Sequence, residues 1–308
     1  MTRGIALGSL AAGLIAVAVF IGPAANSSVI LWQLRVPRVC LAFCVGMALA
    51  VAGVIFQGLL RNPLADPYVL GTSSGASLGV MVAGAMHFRS PVWLYLFAFA
   101  FALATVAAVY RIALVQGRAA VQTLILAGVV VSTFLNALVF LWFSLFYRES
   151  FSTLFFLLGT LTEGNALLLR ISGGLTLFAT AIAWFFARDL NLLSQGDATA
   201  LHLGVDPEKR RALFFTCASL LVGSAVCVSG MIGFVGLIVP HLLRLLVGSD
   251  HRVLLPVSAI GGGVILVWMD VVARTAAAPV EIPVGVVAAI CGTPFFIYLL
   301  KKKRGELL

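Results

Sequence analysis

Charge is what this sequence has least of. Only 10% of its 308 residues are Asp, Glu, Lys or Arg, while 62% are hydrophobic and the mean hydropathy is +1.12. Soluble domains carry about a quarter charged residues, so a soluble globular chain is excluded and most of this one belongs in lipid. Long polar stretches are missing as well. The longest, Arg188 to Arg211, is too short to bury a core of its own, so residues 1–308 are expected to form a single transmembrane domain. No Walker A motif, no HExxH and no catalytic dyad occurs anywhere, which argues against an enzyme and leaves any ATP hydrolysis to a partner. Gly71, Gly75 and Gly79 invite a phosphate-loop reading, but no Lys-Ser or Lys-Thr follows and no strand precedes them. Cysteine is sparse. Cys40, Cys44, Cys217, Cys227 and Cys291 lie mostly inside apolar runs and form no CxxC pair, so they read as packing residues and no metal site is expected.

What is present is a series of apolar runs of membrane length. At roughly 20 residues per crossing, spans fall near 5–22, 39–60, 66–86, 92–110, 120–145, 167–187, 211–229, 231–247, 253–271 and 283–300. The expected fold is an all-α polytopic membrane protein of about ten transmembrane helices. The first run could pass for a signal peptide, but Arg3 is a weak basic flank and no clean cleavage site follows, so it is kept as a span. The net charge of +9 would suggest nucleic acid on a soluble protein. Here the bases sit in short loops, and no nucleic-acid partner is expected. With a cytoplasmic N-terminus, only Arg35, Arg38, Arg89, Arg148, Arg170 and Arg274 of the 20 Lys and Arg fall outside, leaving fourteen inside. That bias predicts both termini in the cytoplasm.

An internal repeat fits this map. Val45–Gly53 (VGMALAVAG) reads like Val222–Gly230 (VGSAVCVSG), each followed by a proline at the same distance, Pro63 and Pro240. On this topology the two copies run in opposite directions, a transporter pattern. Chance similarity between small-residue helices would give the same match.

Five features carry the functional reading. Asn62-Pro63-Leu64 closes the second span; Pro63 turns the chain sharply, as in an ordinary loop or in a constriction at the cytoplasmic mouth. Arg35, Arg38 and Arg274 sit at outer helix ends, where lipid headgroups explain any one of them and three together suit carboxylates of an external partner. Asp270 stands four residues before Arg274, the spacing of an ion pair on a helix surface, and Glu281 reads as a helix-start acid. His241, after Pro240, reads as a packing residue or as a residue of haem or metal passage, the latter without a second ligand near it in sequence. The cytoplasmic loop at about 189–211 offers Asp197 to cap a short helix through Leu203, Gly204 to end it and Asp206-Pro207 to start another, a docking knob or a solvated connector.

Taken together, Arg35-Val36-Pro37-Arg38, Gln57 with Arg61-Asn62-Pro63-Leu64-Ala65-Asp66-Pro67, Gly233-Phe234-Val235-Gly236-Leu237-Ile238-Val239-Pro240-His241, Ser249-Asp250-His251-Arg252, Asp270-Val271-Val272-Ala273-Arg274 and Glu281-Ile282-Pro283-Val284-Gly285 resemble one family over nearly the whole chain. It is the FecCD-type permeases of binding-protein-dependent ABC importers, which carry iron–siderophores, haem and vitamin B12. The resemblance implies a fold like the vitamin B12 importer permease, with an inverted repeat. It also implies a homodimer in the bacterial inner membrane, two ATPase subunits that bind the ATP and magnesium, and a periplasmic or extracellular substrate-binding protein. It assigns docking of that protein to Arg35, Arg38 and Arg274, and the cytoplasmic gate to Asn62, Pro63, Leu64, Ala120 and Val121. ATPase coupling falls to Gln195, Ala198, Leu201, Leu203, Gly204 and Val205. The segment Gly22–Trp32 is shorter than usual in the family, so the outer rim is expected to differ. An ion-coupled secondary transporter is the competing class. The repeat suits it; the lack of a buried acid pair and the partner-sized loop do not.

Overall fold

The computed structural model describes residues 2–23, 27–88, 90–115, 118–119, 121–145, 158–161 and 166–305. The chain is organised around α2 (Val36–Leu59), which the π-turn Ile30–Arg35 leads into. Over its length α2 is almost wholly enclosed, every residue from Ala48 to Leu59 being buried. Its small residues permit this. A Cβ at Gly46 would overlap the Gly262 carbonyl, and one at Gly53 would overlap the Gly236 carbonyl. Backbones can approach that closely only without side chains between them.

Around α2 stand α6 (Ala166–Phe185), α9 (Pro207–Ser229), α10 (Val235–Val247) and α11 (His251–Thr275). A second layer, α3 (Thr72–Ala85), α4 (Pro91–Ala113) and α5 (Val121–Leu145), joins the first mainly through α4 against α9. Gly75 and Gly79 of α3 lie directly on the Phe101 and Phe97 carbonyls of α4, so this glycine row is a packing seam. α1 (Thr2–Phe20) lies along α11, and α12 (Val284–Gly305) packs on α11 and α10. Two short helices, α7 (Ala187–Gln195) and α8 (Asp197–His202), project at the end of the bundle that carries Arg61. A two-residue hairpin, β1 (Leu114–Val115) with β2 (Arg118–Ala119), joins α4 to α5. Asp206 accepts hydrogen bonds from the Glu208 and Lys209 amides and so starts α9, as Asp206-Pro207 foretold.

The expected ten spans are not matched by ten helices of spanning length. Among the described residues six helices are long and apolar enough to cross a membrane: Ile30–Leu59, α4, α5, α6, α9 and α11. Ser9–Phe20, Val235–Val247 and Val284–Tyr298 are shorter apolar helices. α3 and α10 are short because the chain breaks before each of them. Ala65–Gly71 precedes α3 and Gly230–Phe234 precedes α10, and both breaks lie against α2, where Pro67 meets Gly236 beside Leu49. Irregular backbone inside a membrane protein must find partners within the protein. Here the Tyr68 hydroxyl bridges the breaks, accepting from the Ile232 amide and donating to its carbonyl, both at 3.2 Å. Gln57 adds a bond from Nε2 to the Leu237 carbonyl at 3.1 Å. The two repeat copies sit on α2 and α9, which run antiparallel: Arg61 at the end of α2 and Arg211 at the start of α9 reach the same carboxylate. The two helices that carry the copies pack directly against each other.

Candidate functional site

Polar side chains gather at the two ends of the bundle. At one end Arg38, in the first turns of α2, spans two acids. Its Nε donates to Asp270 Oδ1 and Oδ2 at 2.9 and 3.2 Å, and its Nη1 to Glu281 Oε1 and Oε2 at 3.0 and 2.9 Å. This is the forked geometry that guanidinium offers and ammonium does not. Arg274 lies 3.7 Å from Asp270 through its Nε and donates from Nη2 to the Ala18 carbonyl at 2.6 Å. Arg35 donates to the Val19 and Phe20 carbonyls at 3.4 and 3.2 Å. Those carbonyls close α1, where a helix leaves its last acceptors without internal donors. Arg35 and Arg274 are thus buried and engaged within the chain, and Arg38 is the member of the trio that keeps some exposure. Beside Arg38 and Glu281 lies a shallow cleft lined by Thr160, Leu161, Pro283 and Val284.

Two expectations are corrected here. Asp270 pairs with Arg274 as its spacing suggested, but its nearer partner is Arg38, 232 residues away in sequence. Glu281 stands three residues ahead of α12 and is held by Arg38 rather than serving as a helix-start acid.

At the other end the chain turns through Arg61-Asn62-Pro63-Leu64. Asn62 Oδ1 accepts from the Leu64 amide at 3.0 Å, a side-chain turn that fixes the reversal. Leu64 and Val121 are half-buried, and Ala120 lies outside the described residues. The Arg61 side chain leaves a backbone with φ +49°, donates from Nε to the Leu193 carbonyl at 3.1 Å and pairs with Asp197. Asp197 also receives Arg211 Nη2 at 2.8 Å. Burial pushes the Asp197 carboxyl up, but the hydrogen bond and charge of Arg211, with Arg61, outweigh it and hold the group below the usual carboxylate range. Two further contacts anchor α7. Arg210 pairs with Asp189 at 2.7 Å and lies over the Phe186 ring, and Asn191 bonds Asp250 at 2.7 Å and the His251 amide at 3.0 Å. The Asn191 amide, together with the Arg252 N–H, keeps Asp250 below its ordinary value.

α8 is the knob that the loop suggested. Ala198, Leu201 and Leu203 are exposed, Gln195 is exposed at the end of α7, and Val205 is half-buried. Gly204, at φ +80°, reverses the chain after α8 with open space around it. Asp197 is the first residue of α8 and makes no cap; its oxygens serve Arg61 and Arg211. Two leucines turned outward beside a charged network suit a protein partner better than water.

Among the described residues, no three His, Cys, Asp or Glu side chains are grouped to hold a metal ion. The FecCD transport family model matches residues 4–302. The chain belongs to the FecCD transport family. It is 42% identical over 282 residues to the uncharacterized ABC transporter permease protein YvrB of Bacillus subtilis, covering 90% of this chain and 80% of that one. It is 40% identical to the cobalamin import system permease protein BtuC of Halobacterium salinarum, covering 92% and 76%. A solved ABC transporter of the metal-chelate type, in an inward-facing conformation, superposes with a TM-score of 0.89 at 33% identity, over 97% of this chain and 98% of that one. As a FecCD chain this protein is the multi-pass permease subunit of an ABC importer. It carries no ATPase motif, and ATP and magnesium are bound by a separate ATPase partner. Family membership decides against the ion-coupled alternative.

Sequence reasoning missed two assignments: the role of Asp197 between two arginines and that of Glu281 opposite Arg38. The first had a signal, since an acid in the loop that faces Arg61 and leads to Arg210 and Arg211 is a natural counter-ion. The second had none in local sequence.

Proposed function

We propose that the chain, as a single permease domain, dimerises in the bacterial inner membrane and passes a metal chelate along the twofold axis. The cargo class is an iron–siderophore, haem or cobalamin, in keeping with the cobalamin and metal-chelate systems it is similar to. The Arg61 end faces the cytoplasm with both termini, which the fourteen-to-six distribution of basic residues supports. The ten apolar segments then serve as ten crossings, α3 and α10 being completed by the buried breaks before them. Two ATPase subunits dock on α8 of the two copies through Leu201, Leu203 and the Gly204 turn, with Gln195, Ala198 and Val205 around them. Asn62, Pro63 and Leu64, with Ala120 and Val121 at the α5 entry, form the cytoplasmic gate. A periplasmic binding protein delivers its cargo at the Arg38 end. There Arg38 exchanges Glu281 for a carboxylate of the partner, while Arg35 and Arg274 hold the rim behind it.

The observation that carries the reading is the exposed pair Leu201, on α8, and Leu203, just after it, at the end of the bundle where Arg61 leads into Asn62–Leu64. ATP enters as differential contacts of the ATPase with two conformations of this knob. The test is reconstitution of the chain with its ATPase and binding protein in liposomes. Radiolabelled ferric hydroxamate, haemin and cyanocobalamin are offered in turn. Uptake of one of them that needs ATP, both partners and Leu201 supports the reading. Uptake driven by an ion gradient without the ATPase overturns it.

A further inference from the structure

The knob is not tethered to the bundle by its chain connections alone. Three helices of the α2 bundle reach it through side chains: α2 through Arg61 to Asp197 and the Leu193 carbonyl, α9 through Arg211 to Asp197 and Arg210 to Asp189, and α11 through its Asp250 start to Asn191. Asp197 is the point where two of these lines meet. Its two oxygens are divided, Oδ1 to Arg61 and Oδ2 to Arg211. The other contacts all fall on α7. Among the described residues, Asp197 is the α8 side chain that bonds the Arg61 end of α2, just ahead of the exposed Leu201 and Leu203.

The link positions rather than stabilises. Arg61 and Asp197 are both partly solvated, so the pair is worth little in stability, and what it fixes is the place of α8 relative to the end of α2. Arg61 is also followed directly by Asn62-Pro63-Leu64. Its unusual positive φ and the hydrogen bond from the Asn62 amide to the Gln57 carbonyl leave no slack between the guanidinium and that turn.

We propose that Asp197 is a positioning residue that couples α8 to the gate: by holding Arg61 and Arg211 together it makes displacement of the knob a displacement of the end of α2 and of Asn62–Leu64. This rests on the reading that α8 docks on an ATPase subunit. Without the carboxylate, α8 still presents Leu201 and Leu203 to its partner, but the push is spent on the short α7–α8 connection at Gly196.

Two measurements on the full chain test this separately. The first needs no partner: amide hydrogen exchange of the chain in lipid nanodiscs. In Asp197→Asn, exchange quickens at residues 197–205 and at 60–66 together, by about two- to fivefold, the scale of an exposed ionic pair, and stays unchanged at 270–283. Quickening in α8 alone overturns the link. The second uses the complete importer and the chelate that the wild type transports. Arg61→Gln and Asp197→Asn assemble with the ATPase and keep its binding-protein-stimulated activity within about twofold, while uptake per ATP falls about tenfold, the scale of a lost coupling element. Asp197→Glu restores most of the uptake. Unchanged uptake, or uptake and ATPase activity falling in parallel, overturns the proposal. If Asp197→Asn yields no folded protein, Arg61→Gln decides by the same readings. A wild-type chain without ATP-dependent uptake sinks the importer reading itself, and the exchange experiment then still judges the mechanical link.

Discussion

The two ends of the bundle use the same chemistry in opposite settings. At one, the side chains of Asp270, Arg274 and Arg38 are 1%, 4% and 16% exposed; at the other, Asp197 and Arg61 are 49% and 40% exposed, with Arg211 behind them at 5%. Each cluster joins segments far apart in sequence through a carboxylate that serves two arginines. The difference is water. A desolvated pair is costly to break because removal of one partner strands a charge in a poor solvent. A solvated pair can open, since water takes the place of either partner. The first cluster therefore fixes α2, α11 and the end of α1 as a frame, and the second ties α8 to that frame through a contact that water can reach.

The largest effect belongs to the buried end. Asp270→Asn leaves Arg38 and Arg274 facing each other without their shared carboxylate, and the purified protein should lose about 3–5 kcal/mol of stability to denaturant. A loss under about 1 kcal/mol would erase the contrast between the ends. Next comes the seam between them. Gly53→Val drives a side chain into the Gly236 carbonyl and should cost about 1–3 kcal/mol by overpacking, seen as a lower unfolding temperature. Gly84→Ala, where no atom lies near, serves as the silent control. Glu281→Gln is milder for the fold, since its side chain is partly exposed. On the proposed docking at Arg38, it should tighten association with the binding protein a few-fold by calorimetry, because Arg38 loses its internal competitor; weaker association would overturn that docking.

The smallest stability change is expected at Asp197→Asn, within about 1 kcal/mol, and its pH dependence sharpens the comparison. The folded-state carboxyl is held below its ordinary value by Arg211 and Arg61, against the upward push of burial. Its contribution is thus complete above the usual carboxylate range, near pH 4, and is lost as pH falls through the lower folded value. Stability curves of wild type and Asp197→Asn should run parallel from neutral pH down to that range and converge below it. Curves that converge above it would contradict the geometry.

Much of this was legible in the chain. Apolar runs located every long helix, Asp206-Pro207 gave the start of α9, and Gly204 gave the end of the knob. The lengths of α3 and α10 were not legible. A hydropathy run cannot reveal that the α-helix is interrupted at Ala65–Gly71, which holds only the 3₁₀ turn Pro67–Leu70, and at Gly230–Phe234, whose Ile232 backbone is satisfied by the distant Tyr68 hydroxyl. Arg38 was visible as an arginine at a helix end, but its partners lie 232 and 243 residues on. Local spacing favoured Arg274 for Asp270 because a four-residue interval is all that sequence displays. The arginines that looked free were legible in position and illegible in occupancy.

The glycine contacts along α2 have a mechanical meaning. Gly46 meets the backbone at Gly262, and Gly53 meets it at Gly236, about two turns along. Advancing the helix by one residue turns it by about 100°, which would swing Met47 and Val54 into slots that accept only hydrogen. α2 is keyed like a shaft in two slots: turning it about its own axis would drive side chains into the Gly262 and Gly236 backbones. A load applied at Arg61 therefore meets a helix held against rotation at two points along its length.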